Sequence, residues 1–332
     1  MELQGYFMNN ILITGGAGYI GSHICKVFYN AGFTPIAFDN LSTGNKWSVK
    51  WGELEVGDLN NKDRLKEVFE KYKFLGVVHL AALSNVEQSC NNPILYYKNN
   101  LLGSYNLLEN MTKFKVDKLV FSSTAAVYGN PIYSPIDEIH PTNPINPYGE
   151  TKLAVEKLIS HVSKASNINF ISLRYFNVAG CDFSYDIGEV HDPETHIIPL
   201  ALNSAYKNSV FNIYGNDYNT NDGTCIRDYI HVMDLSEAHL LGFKKLLKEH
   251  SNDLINVGGS KGTSVLEVID KIKKITKIDF KTQLKDRRAG DPDELIAKID
   301  KSKQILDWTP RNSNIEKIIS DAWEWYKRYN KN

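Results

Sequence analysis

Tyr148 and Lys152 stand four residues apart at the start of a predicted helix, a spacing that sets both side chains on one helical face. A tyrosine with an ordinary pKa of about 10 is a poor base at neutral pH, but a nearby ammonium stabilises the phenolate. Each unit of lowering requires about 1.4 kcal/mol of differential interaction, and two cations in a dry cleft supply several units. A strand-like run, Lys118–Ser122, leads into Ser123 and Thr124. Ligands of open parallel sheets bind beyond the carboxyl ends of the strands. The hydroxyls of Ser122, Ser123 and Thr124 are therefore expected to line a site, with Thr124 hydrogen-bonding a substrate hydroxyl beside Tyr148. The same hydroxyls could instead satisfy their own backbone. The chemistry open to such a trio is removal of a proton from a bound hydroxyl.

A second signature lies near the amino end. The run Thr14–Gly15–Gly16–Ala17–Gly18–Tyr19–Ile20–Gly21 follows a short apolar strand, Asn10–Thr14, and opens a predicted helix, Tyr19–Asn30. Gly15, Gly18 and Gly21 let the chain turn tightly and bring backbone amides close to a pyrophosphate, which the free N–H groups of the helix start can hold. The predicted second strand, Pro35–Asp39, ends 18 residues after Gly21. This is where the dinucleotide fold places an acid for the adenosine ribose hydroxyls. A carboxylate at Asp39 repels a 2′-phosphate, and Asn40 and Leu41 supply no compensating Arg, so NAD is favoured over NADP. Asp58, in Gly57–Asp58–Leu59, reads either as an adenine contact or as a helix N-cap.

These residues need a framework. Strand-like Leu54–Val56, Val77–Ala81 and Phe170–Arg174 alternate with helical Lys62–Tyr72, Pro93–Lys113 and Gly149–Ser166. Such alternation predicts an α/β, Rossmann-type doubly wound parallel sheet. Past Asn177 the rhythm changes, with polar, turn-rich Gly180–Thr195 and Asn216–Gly223. The expected division is a cofactor domain over residues 8–177, to which later segments return, and a smaller α+β domain, mainly for substrate, over residues 178–332.

The chain has 332 residues, 42% hydrophobic and 23% charged, as globular proteins do. Its 38 Lys and Arg against 39 Asp and Glu, a formal net charge of −1, give no reason to expect nucleic acid as a partner. Cys25, Cys90, Cys181 and Cys225 fall at no metal-ligand or CxxC spacing. They are expected to be reduced, mostly buried thiols of a cytoplasmic protein, with no metal site. No apolar run approaches the roughly 20 residues of a membrane span, so no membrane partner is expected.

Seven ordered blocks carry a resemblance from Ile11 to about Pro310. They are GGAGYIGSH (Gly15–His23), DNLSTG (Asp39–Gly44), FSSTAAVYG (Phe121–Gly129), NPYGETK (Asn146–Lys152), RYFNVAG (Arg174–Gly180), GNDYNTNDGTCIRDYIHVMDL (Gly215–Leu235) and RRAGDP (Arg287–Pro292). Together they resemble the extended short-chain dehydrogenase/reductase superfamily and, within it, the UDP-glucose 4-epimerases. The resemblance implies tightly bound NAD, a UDP-hexose substrate and interconversion of UDP-galactose and UDP-glucose through a 4-keto sugar. It leaves open 4-epimerisation of another UDP-sugar, such as a pentose, uronate or N-acetylhexosamine.

By the same resemblance Tyr148 is the base and Lys152 its partner, which also holds the nicotinamide ribose, while Thr124 fills the family's Ser/Thr position. NAD contacts are implied for Gly15, Gly18, Tyr19, Ile20, Gly21, Asp39, Asn40, Asp58, Leu59, Leu80, Ala81, Ala82, Asn99, Ser122 and Tyr175. Contacts to the UDP-sugar are implied for Asn177, His196, Ile197, Tyr214, Arg227, Arg288, Asp291 and Leu295, with the two arginines suited to the pyrophosphate. Ser84 stands where some members carry a Lys near the nicotinamide, and Leu295 where members differ in tolerance of N-acetyl groups. Related dehydratases and decarboxylases place an acid directly after the Thr, where this chain has Ala125 and Ala126. Retention of Thr124, Tyr148 and Lys152 weighs against an idle NAD-binding subunit. A homodimer is implied through Pro93–Lys113 and Gly149–Ser166, although Leu153, Ala154, Leu158 and Ile159 of the latter could equally face the chain's own sheet.

Overall fold

The computed structural model describes residues 9–287 and 291–331. Along the chain, β1 (Asn10–Thr14) leads to α1 (Tyr19–Asn30), β2 (Thr34–Asp39), β3 (Glu53–Val56), α2 (Lys62–Lys71) and β4 (Phe74–His79). Next come α3 (Val86–Asn91), α4 (Pro93–Tyr96), a wide π-helical stretch Tyr97–Leu102 and α5 (Gly103–Lys113). They precede β5 (Lys118–Thr124), α6 (Pro147–Ser166), β6 (Asn169–Tyr175) and β7 (Asn177–Ala179).

The carboxyl-terminal part holds α7 (Ile197–Lys207), β8 (Phe211–Tyr214), β9 (Ile226–His231), α8 (Val232–Lys248) and β10 (Asn252–Val257). It continues through β11 (Gly262–Ser264), α9 (Val265–Thr276), β12 (Thr282–Lys285), β13 (Glu294–Leu295), α10 (Asp300–Leu306) and α11 (Ile315–Tyr329).

Seven strands form one sheet in the order β3-β2-β1-β4-β5-β6-β10, every neighbouring pair parallel. Parallel strands are covered on both faces, and here the pleat sorts the side chains. Ile11 and Ile13 of β1 join Ile24 and Phe28 of α1 and Leu235 and Phe243 of α8 on one face. Leu12 points the other way, to Leu65 of α2, Leu107 of α5 and Ile159 of α6. The direction of winding reverses between β1 and β4, the point where open α/β sheets bind ligands.

A second sheet has the order β11-β9-β13, with β7 also pairing β9, and β8 pairs β12. Around them α7, α9 and α11 build a separate core from Leu202, Ile269, Ile318 and Trp323. The chain returns from this part to the large sheet through α8 and β10.

Several elements differ from the sequence expectation. The fourth strand ends at His79 rather than Ala81, because the Thr14 hydroxyl captures the Leu80 and Ala81 amides at 3.2 Å each and turns them out of the sheet. The predicted single helix Pro93–Lys113 is split by the wide turn at Tyr97–Leu102. The fifth strand runs on to Thr124, which pairs with Tyr175. The long helix begins at Pro147 because Asn146 caps it, its side chain accepting the Gly149 amide at 2.9 Å. Within that helix Leu153 and Ile159 turn into the protein's own cores, so they present no face to a second chain. Cys25, Cys181 and Cys225 are buried and Cys90 is exposed, and no disulfide joins any two of them. Among the described residues no helix is long and apolar enough to cross a membrane.

Candidate active site

A cleft of about 1350 Å³ opens beyond the carboxyl ends of the strands and runs under the second sheet. At one end the chain turns from β1 into α1. No side chain caps that helix, and no acid stands in its first turn. Its free N–H groups therefore point into the cleft as a site for an anion. Gly21 sits against the carbonyl of Gly15, so close that a Cβ there would collide with backbone. Asp39 ends β2 beside this turn. Its Oδ2 accepts the Ala17 amide at 3.0 Å and its Oδ1 the Leu41 amide at 2.8 Å. Burial raises the Asp39 pKa, and the two amides oppose the rise. Asp58 caps no helix, since α2 is capped by Asn61; its carboxylate takes the Asn60 amide and the Asn40 side chain instead. This donor set suits a dinucleotide: amides for a pyrophosphate, and a carboxylate with spare lone pairs for ribose hydroxyls.

In the middle of the cleft α6 presents Tyr148 and Lys152. Lys152 is 3% exposed and its Nζ donates to the Ser122 carbonyl at 2.7 Å. Burial lowers its pKa to about 7, while the carboxylate of Glu156, one turn along α6, resists the fall. Burial raises Tyr148, and a hydrogen bond with the Thr124 side chain pulls it back. Ser122 and Tyr175 hydroxyls are hydrogen-bonded across β5 and β6.

Two buried networks hold this centre. In the first, the neutral ring of His79, lowered by burial to about 3, meets the Thr14 hydroxyl at 2.7 Å and Ser104 at 2.8 Å. Ser104 donates on to the Asn100 carbonyl, and the Asn100 side chain grips Leu83 backbone and Thr151. In the second, Glu156 accepts both prongs of Arg174, at 2.9 and 2.6 Å, and the Ser123 hydroxyl at 2.5 Å. The sequence reading missed His79, Asn100 and Glu156. The offset of Glu156 from Lys152, one helical turn, was the available signal for the last of them.

The far end lies between β9, β13 and α7. Arg227 is 8% exposed; it donates to Asp291 at 2.8 Å and to the Pro292 carbonyl at 2.9 Å. Asn177, His196, Ile197, Tyr214 and Leu295 line the same end. Within the described range the predicted site residues border this one cleft, except Ser123, whose buried hydroxyl turns away from it to Glu156. Arg288 lies outside the described residues. Its neighbour Arg287 packs over the Tyr218 ring and donates to the Asp291 carbonyl. The cleft also takes in Glu189, His191 and Glu194, which with His196 form a close cluster.

A family model described as the NAD dependent epimerase/dehydratase family matches residues 11–258, about three quarters of the chain. The chain belongs to that family. It is 44% identical to a UDP-glucose 4-epimerase of Rhizobium meliloti over 97% of this chain and 98% of that protein. A crystal structure of a UDP-glucose 4-epimerase superposes with a TM-score of 0.94 at 46% identity, covering 97% of this chain and 98% of that one. The enzyme from Brucella ovis, crystallised with NAD, superposes with a TM-score of 0.92 at 41% identity, over 95% and 98%. Members of the family depend on NAD, and the turn at Gly15–Gly21, the uncapped start of α1 and Asp39 form a place that fits it.

Proposed function

We propose that the protein interconverts UDP-galactose and UDP-glucose by oxidation at C4, turning of the 4-keto sugar and reduction from the other face. One observation supports the reading: Tyr148, Thr124 and Lys152 line the same cleft as the Gly15–Gly21 turn, Asp39 and Arg227.

The amides opening α1 and the Asp39 carboxylate would hold the cofactor, with Lys152 and the Ser122–Tyr175 hydroxyls near its nicotinamide end. NAD, when bound, supplies the hydride acceptor and donor for C4. Tyr148 takes the proton of the 4-hydroxyl and later returns it, and Thr124 orients that hydroxyl. Arg227 would hold the pyrophosphate of UDP, releasing or sharing its bond with Asp291. Anchoring through UDP leaves the hexose free to turn between the two hydride transfers. Leu295, with Asn177, would border the sugar.

The test is conversion of UDP-galactose with no NAD added, with UDP-N-acetylgalactosamine alongside. Turnover of UDP-galactose supports the reading; turnover of both widens the sugar pocket around Leu295. No reaction of either, even after NAD is supplied, overturns it and turns attention to pentose and uronate nucleotides.

The reading also carries a homodimer and a cytoplasmic location. Ile94 (80% exposed), Leu95, Tyr97, Leu102 and Tyr105 leave apolar side chains exposed along residues 93–113 and support pairing of two copies there. A monomeric mass by light scattering would remove that part of the reading.

A further inference from the structure

The segment between β7 and α7 carries a cluster that the reaction above does not use as a set. Glu189, His191, Glu194 and His196 each offer one nitrogen or oxygen atom, and these atoms all lie within 4.8 Å of one another. The spacing, E-x-H-x-x-E-x-H, was visible in the sequence, yet cysteine spacing alone had set the expectation of no metal. We propose that these four side chains form a binding site for one zinc-class divalent cation, a proposal independent of the epimerase reading.

The distances carry the argument. Zinc bound tetrahedrally by nitrogen and oxygen at about 2.0–2.1 Å sets its ligands about 3.3–3.4 Å apart. His191 Nδ1 stands 3.3 Å from Glu189 Oε1 and 3.4 Å from Glu194 Oε2, and His196 Nδ1 stands 3.3 Å from Glu194 Oε1. Glu194 faces the two histidines through different oxygens, and His196 Nδ1 stands 2.7 Å from Glu189 Oε1, so the His196 ring and the Glu194 carboxylate must shift to bring one atom from each residue into a tetrahedron. His196 is half-exposed at the cleft and has room to move.

The donors are also suited to a cation. Glu189 has a side chain 7% exposed, yet its Oε1 and His191 Nδ1 are buried without a hydrogen bond of good geometry. That buried oxygen faces the two histidine nitrogens at 3.3 and 2.7 Å, the same atoms that would share a cation with it. Glu194 Oε1 accepts the Thr195 and His196 amides at 2.7 and 2.8 Å, which sets the plane of its carboxylate and turns Oε2 to His191. Two carboxylates and two neutral imidazoles, without a thiolate, match zinc and its first-row neighbours.

The place suggests what the ion does. The His191 ring packs edge-on against Tyr19 of the phosphate turn at 6.3 Å. The backbone of the same segment accepts Asn45 at Val190 and Trp325 at Glu189. A cation here would fasten this segment to the start of α1, beside the dinucleotide end of the cleft.

The experiment uses the full chain, freed of metal by a chelator, and titrates it with Zn²⁺ alone against a chromophoric competitor. One equivalent is expected to bind. His191→Ala and Glu189→Gln should each weaken binding at least about 100-fold, since loss of even an outer-shell partner costs 10–100-fold. Cys90→Ser, which removes the exposed thiol bordering the cleft, should leave binding unchanged. Co²⁺ in the same protein should give the intense visible bands of tetrahedral coordination. Glu194→Gln serves as a further variant should either of the first two fail to fold, with circular dichroism as the check. No saturable binding, binding indifferent to these substitutions, or binding lost with Cys90 overturns the proposal and leaves the four residues as an ion-pair cluster.

Discussion

Replacing Lys152 by Met should convert the pH dependence of turnover from a peak into a rise. A phenol with a pKa of 10 is deprotonated in only about one molecule in 10³ at pH 7, a cost of about 4 kcal/mol. Burial drives Tyr148 above that starting point, and the Thr124 bond works against it; on the proposed reading the rest of the lowering falls to the Lys152 ammonium. An opposite charge within about 4–6 Å moves a pKa by roughly 1–3 units, so loss of the ammonium should slow turnover about 10- to 10³-fold at pH 7.

The sign of the pH effect follows from the two groups. A base works better as pH rises, whereas a lysine loses its charge as pH rises through its own pKa. Lys152 is lowered by burial to about 7, so the native enzyme should lose rate on the alkaline side as the ammonium discharges. The variant has no ammonium to lose. Its rate should climb up to about tenfold per pH unit above neutrality, as the phenolate fraction grows. The assay is UDP-galactose turnover across neutral and alkaline pH, with NAD content measured in each sample. Turnover equal to the native enzyme at pH 7, or an unchanged alkaline limb in the variant, refutes the reasoning.

Tyr148→Phe should reduce turnover by about 10²–10⁴ while NAD content and melting stay near native, because Thr124 keeps its own bond to the Ala126 amide. Gly21→Ala forces a methyl against Gly15 backbone; urea unfolding should register a loss of about 1–3 kcal/mol, and purified protein should carry less NAD. Arg174→Met leaves the Glu156 carboxylate buried without its fork of donors. Denaturation should report a loss of about 3–5 kcal/mol, and an unchanged midpoint would mean that Glu156 has found another partner.

By itself the sequence determined the local structure of the phosphate turn and the large sheet. The amino-terminal strand and the helix after it fall where the apolar run and the glycine spacing put them, because strand pleat and tight turn are short-range properties. The Tyr148–Lys152 face and the carboxylate ending β2 were legible for the same reason. Each depends on periodicity within one element or on the length of one βα unit. Element ends were less legible, because distant groups decide them: the Thr14 hydroxyl, 66 residues away, ends β4 by taking the Leu80 amide.

Tertiary structure alone decided the rest. Apolar residues in a helix do not say which apolar surface they meet, so Leu153 and Ile159 became core rather than interface only once α6 lay on its own sheet. The seventh strand came from Asn252–Val257, far past the apparent end of the sheet, because parallel pairing with β6 needs only the α8 crossover to reach it. Glu156 and Arg174 are 18 residues apart, and a shared site in the interior makes each carry the other's charge. The four donors at Glu189–His196 lie close in sequence. A loop has no repeat from which their convergence could be read, and its packing against Tyr19, Asn45 and Trp325 brings them to a point.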